Sequence, residues 1–149
     1  MKLIVQRSKN SKVLVDNKIV GKIDKGLVVL VGFTHTDTIE DIKKLTKKLV
    51  NLRIFDDENH IMNKSILDVK GEILSVSQFT LYADCKKGNR PSYINSMRAD
   101  DARKLYELFN EEIKKYDIYL ETGIFQADML VEINNDGPVT IILESENLW

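Results

Sequence analysis

The feature that most constrains this 149-residue chain is the uninterrupted apolar run Leu27-Val28-Val29-Leu30-Val31, which lies between Gly26 and Gly32. β-Branched residues favour strands, and a strand that is apolar at every position is buried on both faces or lies inside a curved sheet. Other elements must therefore cover it on each side. A chain of this length can bury about 70% of its unfolded surface, so we expect one domain over residues 1–149.

Shorter apolar segments around this run predict further strands. Residues 3–5 are apolar, and residues 13–15 and 19–21 flank the turn formers Asp16 and Asn17, which predicts a hairpin. Later in the chain we predict strands over residues 72–81, 118–121, 129–133 and 139–143. The segment 134–138, dense in turn formers, separates the last two strands.

Two segments follow the period of an amphipathic helix. The apolar face of the first consists of Ile39, Ile42, Leu45, Leu49 and Leu52, and that of the second of Ala102, Leu105, Tyr106, Phe109, Ile113 and Tyr116. Asp37, followed by Glu40, predicts a capping box at the start of the first helix. The predicted fold class is α+β and mostly β, a small barrel-like curved sheet with two flanking helices.

Several functional classes are excluded by what the sequence lacks. The single cysteine, Cys85, excludes a disulfide framework and a multi-cysteine zinc site, and we expect a reducing, cytoplasmic compartment. His35 and His60 stand outside any metal-ligand spacing, and no glycine-rich phosphate loop occurs. No apolar run is long enough to span a membrane. We expect no metal, no cofactor and no membrane partner.

The segment Ser77-Gln78-Phe79-Thr80-Leu81 places two hydroxyls and an amide at the end of an apolar strand. Strand alternation would put Ser77, Phe79 and Leu81 on one face and Gln78 and Thr80 on the other. Either hydroxyl could act as a nucleophile or orient a substrate. The alternative is that Ser and Thr at a strand end satisfy backbone groups only.

A basic loop follows, with Lys86, Lys87 and Arg90 next to Tyr93. The net charge of the chain is −1, but residues 84–104 contain six basic and three acidic residues. This distribution permits a local contact with a polyanion. The three cations could bind phosphates and Tyr93 could stack on a base; a solvated surface loop is an equally good interpretation.

The stretch Asp136-Gly137-Pro138-Val139 is unusual because proline follows glycine directly. Proline removes a backbone donor, glycine allows close approach of other backbone, and an X-Pro bond can be cis. The stretch is either the start of a strand or a turn that presents main-chain carbonyls to a ligand.

Taken together and in order, these motifs resemble the D-aminoacyl-tRNA deacylase family from Met1 to Leu143. The resemblance rests on Val5-Gln6-Arg7, Gly26 to Gly32, Leu52-Arg53-Ile54-Phe55-Asp56-Asp57, Met62-Asn63 with Ser65, Ser77 to Asp84, Lys87 to Ser92, Ala127-Asp128-Met129, and Asn135-Asp136-Gly137-Pro138-Val139-Thr140. It implies a carboxylic-ester hydrolase that releases D-amino acids from tRNA, a proofreading step of translation. Glycine on alanine tRNA would be a second substrate.

The resemblance also implies a homodimer with active sites at the interface, and it implies roles for single residues. Ser77, Gln78, Phe79 and Thr80 would form the catalytic segment, with the Phe79 amide near the scissile carbonyl and Thr80 close to the substrate. Gly137 and Pro138, joined by a cis bond and contributed by the other subunit, would bind the α-ammonium. Arg7 would hold that turn, and Phe125 and Met129 would surround the adenosine. Lys86, Lys87 and Arg90 would contact tRNA phosphates.

Some positions depart from the family pattern. Ser11 replaces a common alanine, Cys85 a usual threonine, and Gln126 a small residue at the adenosine pocket. The segment Ser96-Met97-Arg98 replaces a variable one. None of these positions lies in the segment Ser77 to Leu81 or in Gly137-Pro138, the two main motifs.

Two other classes of function remain open at this point. A conventional Ser, Thr or Cys hydrolase would need a nearby base, and the chain has only two histidines. A non-catalytic tRNA-binding or editing-accessory module is the other alternative.

Overall fold

The computed structural model describes residues 1–147, and its longest feature is an antiparallel hairpin. The hairpin consists of β1 (Lys2–Val15) and β2 (Lys18–Gly32), and its register shifts between Val13 and Leu14. The predicted turn is confirmed: Asp16 and Asn17 both have positive φ, 48° and 61°, as two-residue turns between twisted strands require. The strands predicted over residues 3–5 and 13–15 are both parts of β1, and those predicted over residues 19–21 and 27–31 are both parts of β2.

The hairpin is the centre of a six-stranded sheet with the order β6-β5-β2-β1-β7, in which β8 also pairs with β1. The remaining strands are β3 (Phe55–Asp56), β4 (Met62–Lys64), β5 (Glu72–Ser77), β6 (Leu120–Thr122), β7 (Leu130–Glu132) and β8 (Asn135–Glu144). β5 is parallel to both β2 and β6, whereas β7 and β8 are antiparallel to β1. β3 and β4 form a separate hairpin. The predicted α+β class is confirmed.

β2 is buried on both faces, as its sequence predicts. Leu27, Val29 and Val31 belong to the larger apolar cluster, and Val28 belongs to a smaller cluster on the other face, together with Leu74. All five residues are at most 1% exposed. The sheet therefore has a core on each side.

Two helices cover the larger cluster. α1 (Ile39–Val50) buries Ile42, Leu45 and Leu49 there, and α2 (Ala99–Lys114) buries Tyr106, Phe109 and Ile113. The predicted stripes are confirmed at these positions, but Ile39 is 51% exposed, and Leu52 and Tyr116 lie beyond the ends of the two helices. Of the helices formed by residues 1–147, none has the length and apolar character needed to cross a bilayer.

The predicted capping box of α1 is wrong by one residue. Thr38 is the N-cap, and its hydroxyl accepts a hydrogen bond from the Asp41 N–H while Asp41 accepts one from the Thr38 N–H. Asp37 is used elsewhere: its carboxylate pairs with the buried ammonium of Met1 and accepts a hydrogen bond of 2.7 Å from the Thr34 N–H. A long-range ion pair thus decides which residue caps the helix.

The predicted strand 72–81 is also wrong in its second half, because β5 ends at Ser77. Its partner β2 ends at Gly32, and the last backbone bond between them runs from the Gln78 N–H to the Val31 carbonyl, at 2.7 Å. A short 3-10 helix, Phe79–Tyr82, follows. The predicted alternation of side chains from Ser77 to Leu81 therefore does not occur. The strand predicted over residues 139–143 is also wrong at its start, because β8 begins at Asn135, four residues earlier.

At Gly26, β2 lies too close to β5 to leave room for a side chain. A Cβ atom at this position would lie 1.8 Å from the Glu72 carbonyl oxygen and 2.6 Å from the Glu72 nitrogen. Both are backbone atoms of the paired strand, so no side chain can move aside. The parallel pairing that places Ser77 beside Val31 therefore requires glycine here.

We expect Gly26→Ala to lower the free energy of unfolding by about 3 kcal/mol, the upper end of typical overpacking costs. Urea denaturation measures this loss. Lys25→Ala, at an exposed neighbouring position, is the matched control and should change stability by less than about 0.5 kcal/mol. Equal stability of the two variants would contradict the close approach.

Candidate active site

A cavity of about 620 Å³ opens where β2 and β5 end. This volume lies in the range of small-molecule sites, roughly 300–1,000 Å³. Three segments supply most of the lining: residues 76–79 at the end of β5, residues 96–102 at the start of α2, and residues 125–129 before β7. The cavity therefore forms where the chain leaves the sheet.

The motif after β5 provides one wall. Ser77, Gln78 and Phe79 line the cavity, whereas Thr80 does not. The Thr80 hydroxyl accepts a hydrogen bond from Nε2 of Gln78, so its own proton remains available for another acceptor. Phe79 is the first residue of the short 3-10 helix, and its N–H has no acceptor within that helix.

Phe79 is held through both its backbone and its side chain. Its carbonyl accepts a hydrogen bond of 2.9 Å from the Ser96 hydroxyl, and its ring meets the Tyr93 ring edge-on at 5.1 Å. The side chain is 57% exposed nevertheless. An apolar ring this exposed beside a cavity is available to a ligand or to another subunit.

The opposite wall is built on Phe125 and Met129, both of which line the cavity. The Phe125 ring lies 5.8 Å from the ring of Tyr106, whose hydroxyl donates a hydrogen bond of 2.8 Å to the Ser75 carbonyl. Burial raises the pKa of Tyr106, against the opposing effect of its hydrogen bonds with Ser75 and Asn110. The hydroxyl therefore keeps its proton at neutral pH and the wall stays fixed to β5.

Few ionisable groups face this cavity. Among the lining residues within 1–147, Asp128 is the only charged one, and neither His35, His60 nor Cys85 takes part. His35 instead contacts the carbonyl of Ile94 at 2.8 Å. The part of the chain that the structure describes also has no group of three or more His, Cys, Asp or Glu side chains suited to a metal ion.

The second motif, Gly137-Pro138, forms an exposed turn at the start of β8. The Gly137–Pro138 peptide bond is cis, as expected, and Gly137 has a φ of +127°. The buried side chain of Arg7 anchors this turn: Nε donates to the Asp136 carbonyl at 3.0 Å, and Nη1 donates to the Ile54 carbonyl at 2.9 Å. Arg7 and Gly137-Pro138 are thus brought together.

The structure does not bring this turn to the cavity of the same chain. Ser77 pairs with Val31, Val31 with Leu3, and Leu3 with Leu143 across the sheet. Gly137 lies six positions before Leu143 in β8, which at a rise of about 3.3 Å per residue is roughly 20 Å along the strand direction. Gly137, Pro138 and Arg7 are all absent from the cavity lining.

The basic loop follows directly after the short 3-10 helix and ends at Tyr93, a lining residue. Its base is closed by two backbone hydrogen bonds between Asp84 and Ser92, at 2.8 and 2.9 Å. Lys86, Lys87 and Arg90 are exposed, and no ion pair joins them to any acid of residues 1–147. Their charges are available to a partner.

Sequence reasoning missed the contribution of the segment before α2. Ser96, Met97, Ala99 and Ala102 line the cavity, but the first two were noted only as a departure from the family pattern and Ala102 only as part of an apolar stripe. No local signal could have assigned them to the site, because the Ser96–Phe79 contact joins residues 17 positions apart.

Comparisons with known proteins show the family of this chain. The family model for D-Tyr-tRNA(Tyr) deacylase matches residues 4–144. The D-aminoacyl-tRNA deacylase of Bacillus cytotoxicus is 56% identical over 98% of this chain and 100% of its own length. That of Thermosipho africanus is 55% identical over the full length of both.

Solved structures have the same fold. The structure of a c-Myc DNA unwinding element binding protein covers 97% of this chain and 98% of its own, with 39% identity and a TM-score of 0.90. A probable eukaryotic D-amino acid tRNA deacylase, 18% identical with a TM-score of 0.82, covers 95% of this chain and 97% of its own and supports the fold alone. By the extent of the family match and the identity of these relatives, the chain belongs to the D-Tyr-tRNA(Tyr) deacylase family, the D-aminoacyl-tRNA deacylases.

Proposed function

We propose that this chain hydrolyses the ester between a D-amino acid and the terminal adenosine of tRNA. The observation that carries the proposal is the cavity at the end of β5, whose lining combines Ser77, Gln78 and Phe79 with Phe125 and Met129. The ring of Phe125 and the side chain of Met129 provide an apolar wall for an adenosine. The polar segment opposite provides the groups for the ester.

The chemistry rests on positioning. An aminoacyl ester is already activated, so a correctly oriented carbonyl and a donor for the developing oxyanion supply much of the rate enhancement. The Phe79 N–H is that donor. Thr80 does not line the cavity, so it orients the substrate through the lining residue Gln78, whose Nε2 donates to the Thr80 hydroxyl. It forms no acyl-enzyme, because no histidine lies at the cavity to activate it.

The Gly137-Pro138 turn selects the chirality of the substrate. Its carbonyls bind the α-ammonium, and Arg7 keeps the turn in place through the Asp136 carbonyl. With the ammonium and the ester both fixed, the side chain of an L-amino acid points into the turn and that of a D-amino acid points away. This excludes one geometry whatever the side chain is. Glycine has no side chain to exclude, so glycyl-tRNA is a substrate too.

The active unit is a homodimer whose subunits exchange this turn. The turn lies roughly 20 Å along the strand direction from the row of paired residues that contains Ser77, so a second copy must bring the two motifs together. Ile142 is 62% exposed and pairs with Ile4 on the uncovered face of β1 and β8, and Leu130 on β7 is 61% exposed. Apolar residues in such a position favour a self-complementary contact.

The basic loop contacts the tRNA backbone. Lys86, Lys87 and Arg90 lie on an exposed loop that leads into the cavity lining. Their contacts with phosphates add affinity without reading sequence, and they make binding weaker as salt rises.

Deacylation of charged tRNA tests the proposed function. We expect the protein to release D-tyrosine from tRNA, to release glycine, and to leave L-tyrosyl-tRNA intact at the same enzyme concentration. Tight binding of D-tyrosyl-tRNA with no hydrolysis would instead support a binding module. Equal hydrolysis of the D and L esters would exclude the proposed filter.

The variant Phe79→Pro tests the oxyanion donor. Proline is tolerated at the first position of a helix and removes only the N–H of the backbone. We expect kcat to fall roughly 100- to 1,000-fold, the usual effect of losing one such donor. Steady-state deacylation of D-tyrosyl-tRNA measures it.

The control is Phe79→Ala, which loses the ring but keeps the N–H. It should retain a kcat within about tenfold of the wild type, with the larger change in KM. If Phe79→Ala loses as much kcat as Phe79→Pro, the N–H is not the donor.

Complementation tests the shared site. In Gly137→Ala, a Cβ would lie 3.0 Å from Nη2 of Arg7 at a φ of +127°, so the turn is displaced and activity falls. A purified heterodimer of Phe79→Pro and Gly137→Ala has one site with both motifs intact, and we expect roughly half of the wild-type activity. A heterodimer as inactive as its parents would show that each site lies within one chain.

A further inference from the structure

Arg103 of α2 lies beside the cavity and is held there by two contacts. Its guanidinium carbon is 4.7 Å from the centroid of the Phe125 ring, and its Nη2 donates a hydrogen bond of 3.0 Å to Oε1 of Gln126. Phe125 and Gln126 both line the cavity. The guanidinium is therefore fixed at the edge of the site, not free to sample many conformations.

The support under Arg103 extends to the sheet. Phe125 packs against Tyr106, and the Tyr106 hydroxyl is bound to Ser75 in the middle of β5. Ser75 is completely buried. Gln126 has a φ of +65°, which is uncommon for a residue other than glycine, and in this conformation its amide reaches α2. A side chain held in this way loses little further conformational entropy when it binds a ligand.

The charge of Arg103 is not compensated within the chain. Throughout residues 1–147, no carboxylate lies within ion-pair distance of it, whereas the neighbouring Lys104 is paired with Asp101 at 3.3 Å. Gln126 accepts only one of the five guanidinium N–H groups. The others form a planar, charged donor set of the kind that binds phosphate oxygens in a bidentate manner.

We propose that Arg103 binds a phosphodiester, the one that joins the terminal adenosine of the tRNA to the nucleotide before it. This inference rests on the proposed function, in which the adenosine lies against Phe125 and Met129. Its phosphate is not expected inside the cavity: of the lining residues in the described range 1–147, Asp128 alone is charged, and a buried anion needs a cationic partner. The phosphate therefore lies outside the cavity, and the guanidinium of Arg103, over the ring of the lining residue Phe125, provides a cation there.

Two small substrates separate phosphate binding from a purely structural role. D-Tyrosyl-adenosine has no phosphate, whereas the D-tyrosyl ester of the dinucleotide cytidylyl-adenosine has this one phosphodiester. We expect Arg103→Gln to raise KM for the dinucleotide ester roughly tenfold, as the loss of one charge-assisted contact does, with kcat unchanged. KM for D-tyrosyl-adenosine should stay the same. For the dinucleotide ester, KM of Arg103→Lys should lie between the values of the wild type and of Arg103→Gln, because lysine keeps the charge and loses the planar guanidinium.

Lys104→Gln is the matched control, since it removes an exposed, already paired charge on the next residue and should change neither KM. An equal rise of KM on both substrates would mean that Arg103 only shapes the Phe125 wall, and no change on either would mean that it contacts no phosphate. Both results overturn the proposal. With full charged tRNA, the slope of log KM against log salt should fall by about 0.7 in Arg103→Gln, and an unchanged slope also overturns it.

Binding of ligands that carry no amino acid keeps this inference distinct from the proposed function. Calorimetry with cytidylyl-adenosine and with adenosine requires no hydrolysis. A preference of the wild type for the dinucleotide that Arg103→Gln abolishes supports the phosphate contact even if no ester is cleaved. Normal deacylation of D-tyrosyl-tRNA with no such preference leaves the proposed function intact and refutes the role of Arg103.

Discussion

The burial of β2 on both faces is the constraint on which the rest of the structure depends. Leu27, Val29 and Val31 need one apolar layer and Val28 needs another, so the chain must build a core on each side of a single sheet. Both edges of β2 must also be hydrogen-bonded, and its partners are β1 and β5. Because β5 is parallel to β2, a long crossover is required between them, and this crossover contains α1.

The site is a consequence of where these two parallel strands stop. β2 ends at Gly32 and β5 at Ser77, and the chain then turns into a short 3-10 helix whose first N–H groups have no partner within the helix. The cavity at this point is lined by polar side chains and aromatic rings. Such a set can orient and polarise an activated ester, but it is poorly equipped to activate a serine or threonine nucleophile.

Arg7 couples the core to the other functional motif. A buried guanidinium is costly unless its donors are satisfied, and here they bind the carbonyls of Ile54 and Asp136 and the carboxylate of Asp56. Three segments distant in sequence are thereby joined around one side chain. The turn that follows Asp136 is exposed but has a rigid base, which suits backbone carbonyls that must meet a ligand in one geometry.

The amino-acid sequence was sufficient to predict the features that depend on local pattern. The apolar run of β2 predicted a strand with two buried faces, Asp16-Asn17 predicted the hairpin turn, and the 3.6-residue stripes of α1 and α2 predicted their buried faces. The order of motifs along the chain was sufficient for the family. In each case the signal lies within a few residues, where propensity and periodicity act.

The features that depend on distant partners could not be predicted before the chain was folded. Asp37 does not cap α1 because the Met1 ammonium and the Thr34 N–H bind its carboxylate. The strand after Glu72 stops at Ser77 because β2 offers no further partner. Arg103 has no local motif at all, and its place at the cavity comes from Phe125 and Gln126, more than twenty residues later. Periodicity cannot report such contacts, since packing and long-range hydrogen bonds exist only once the chain has folded.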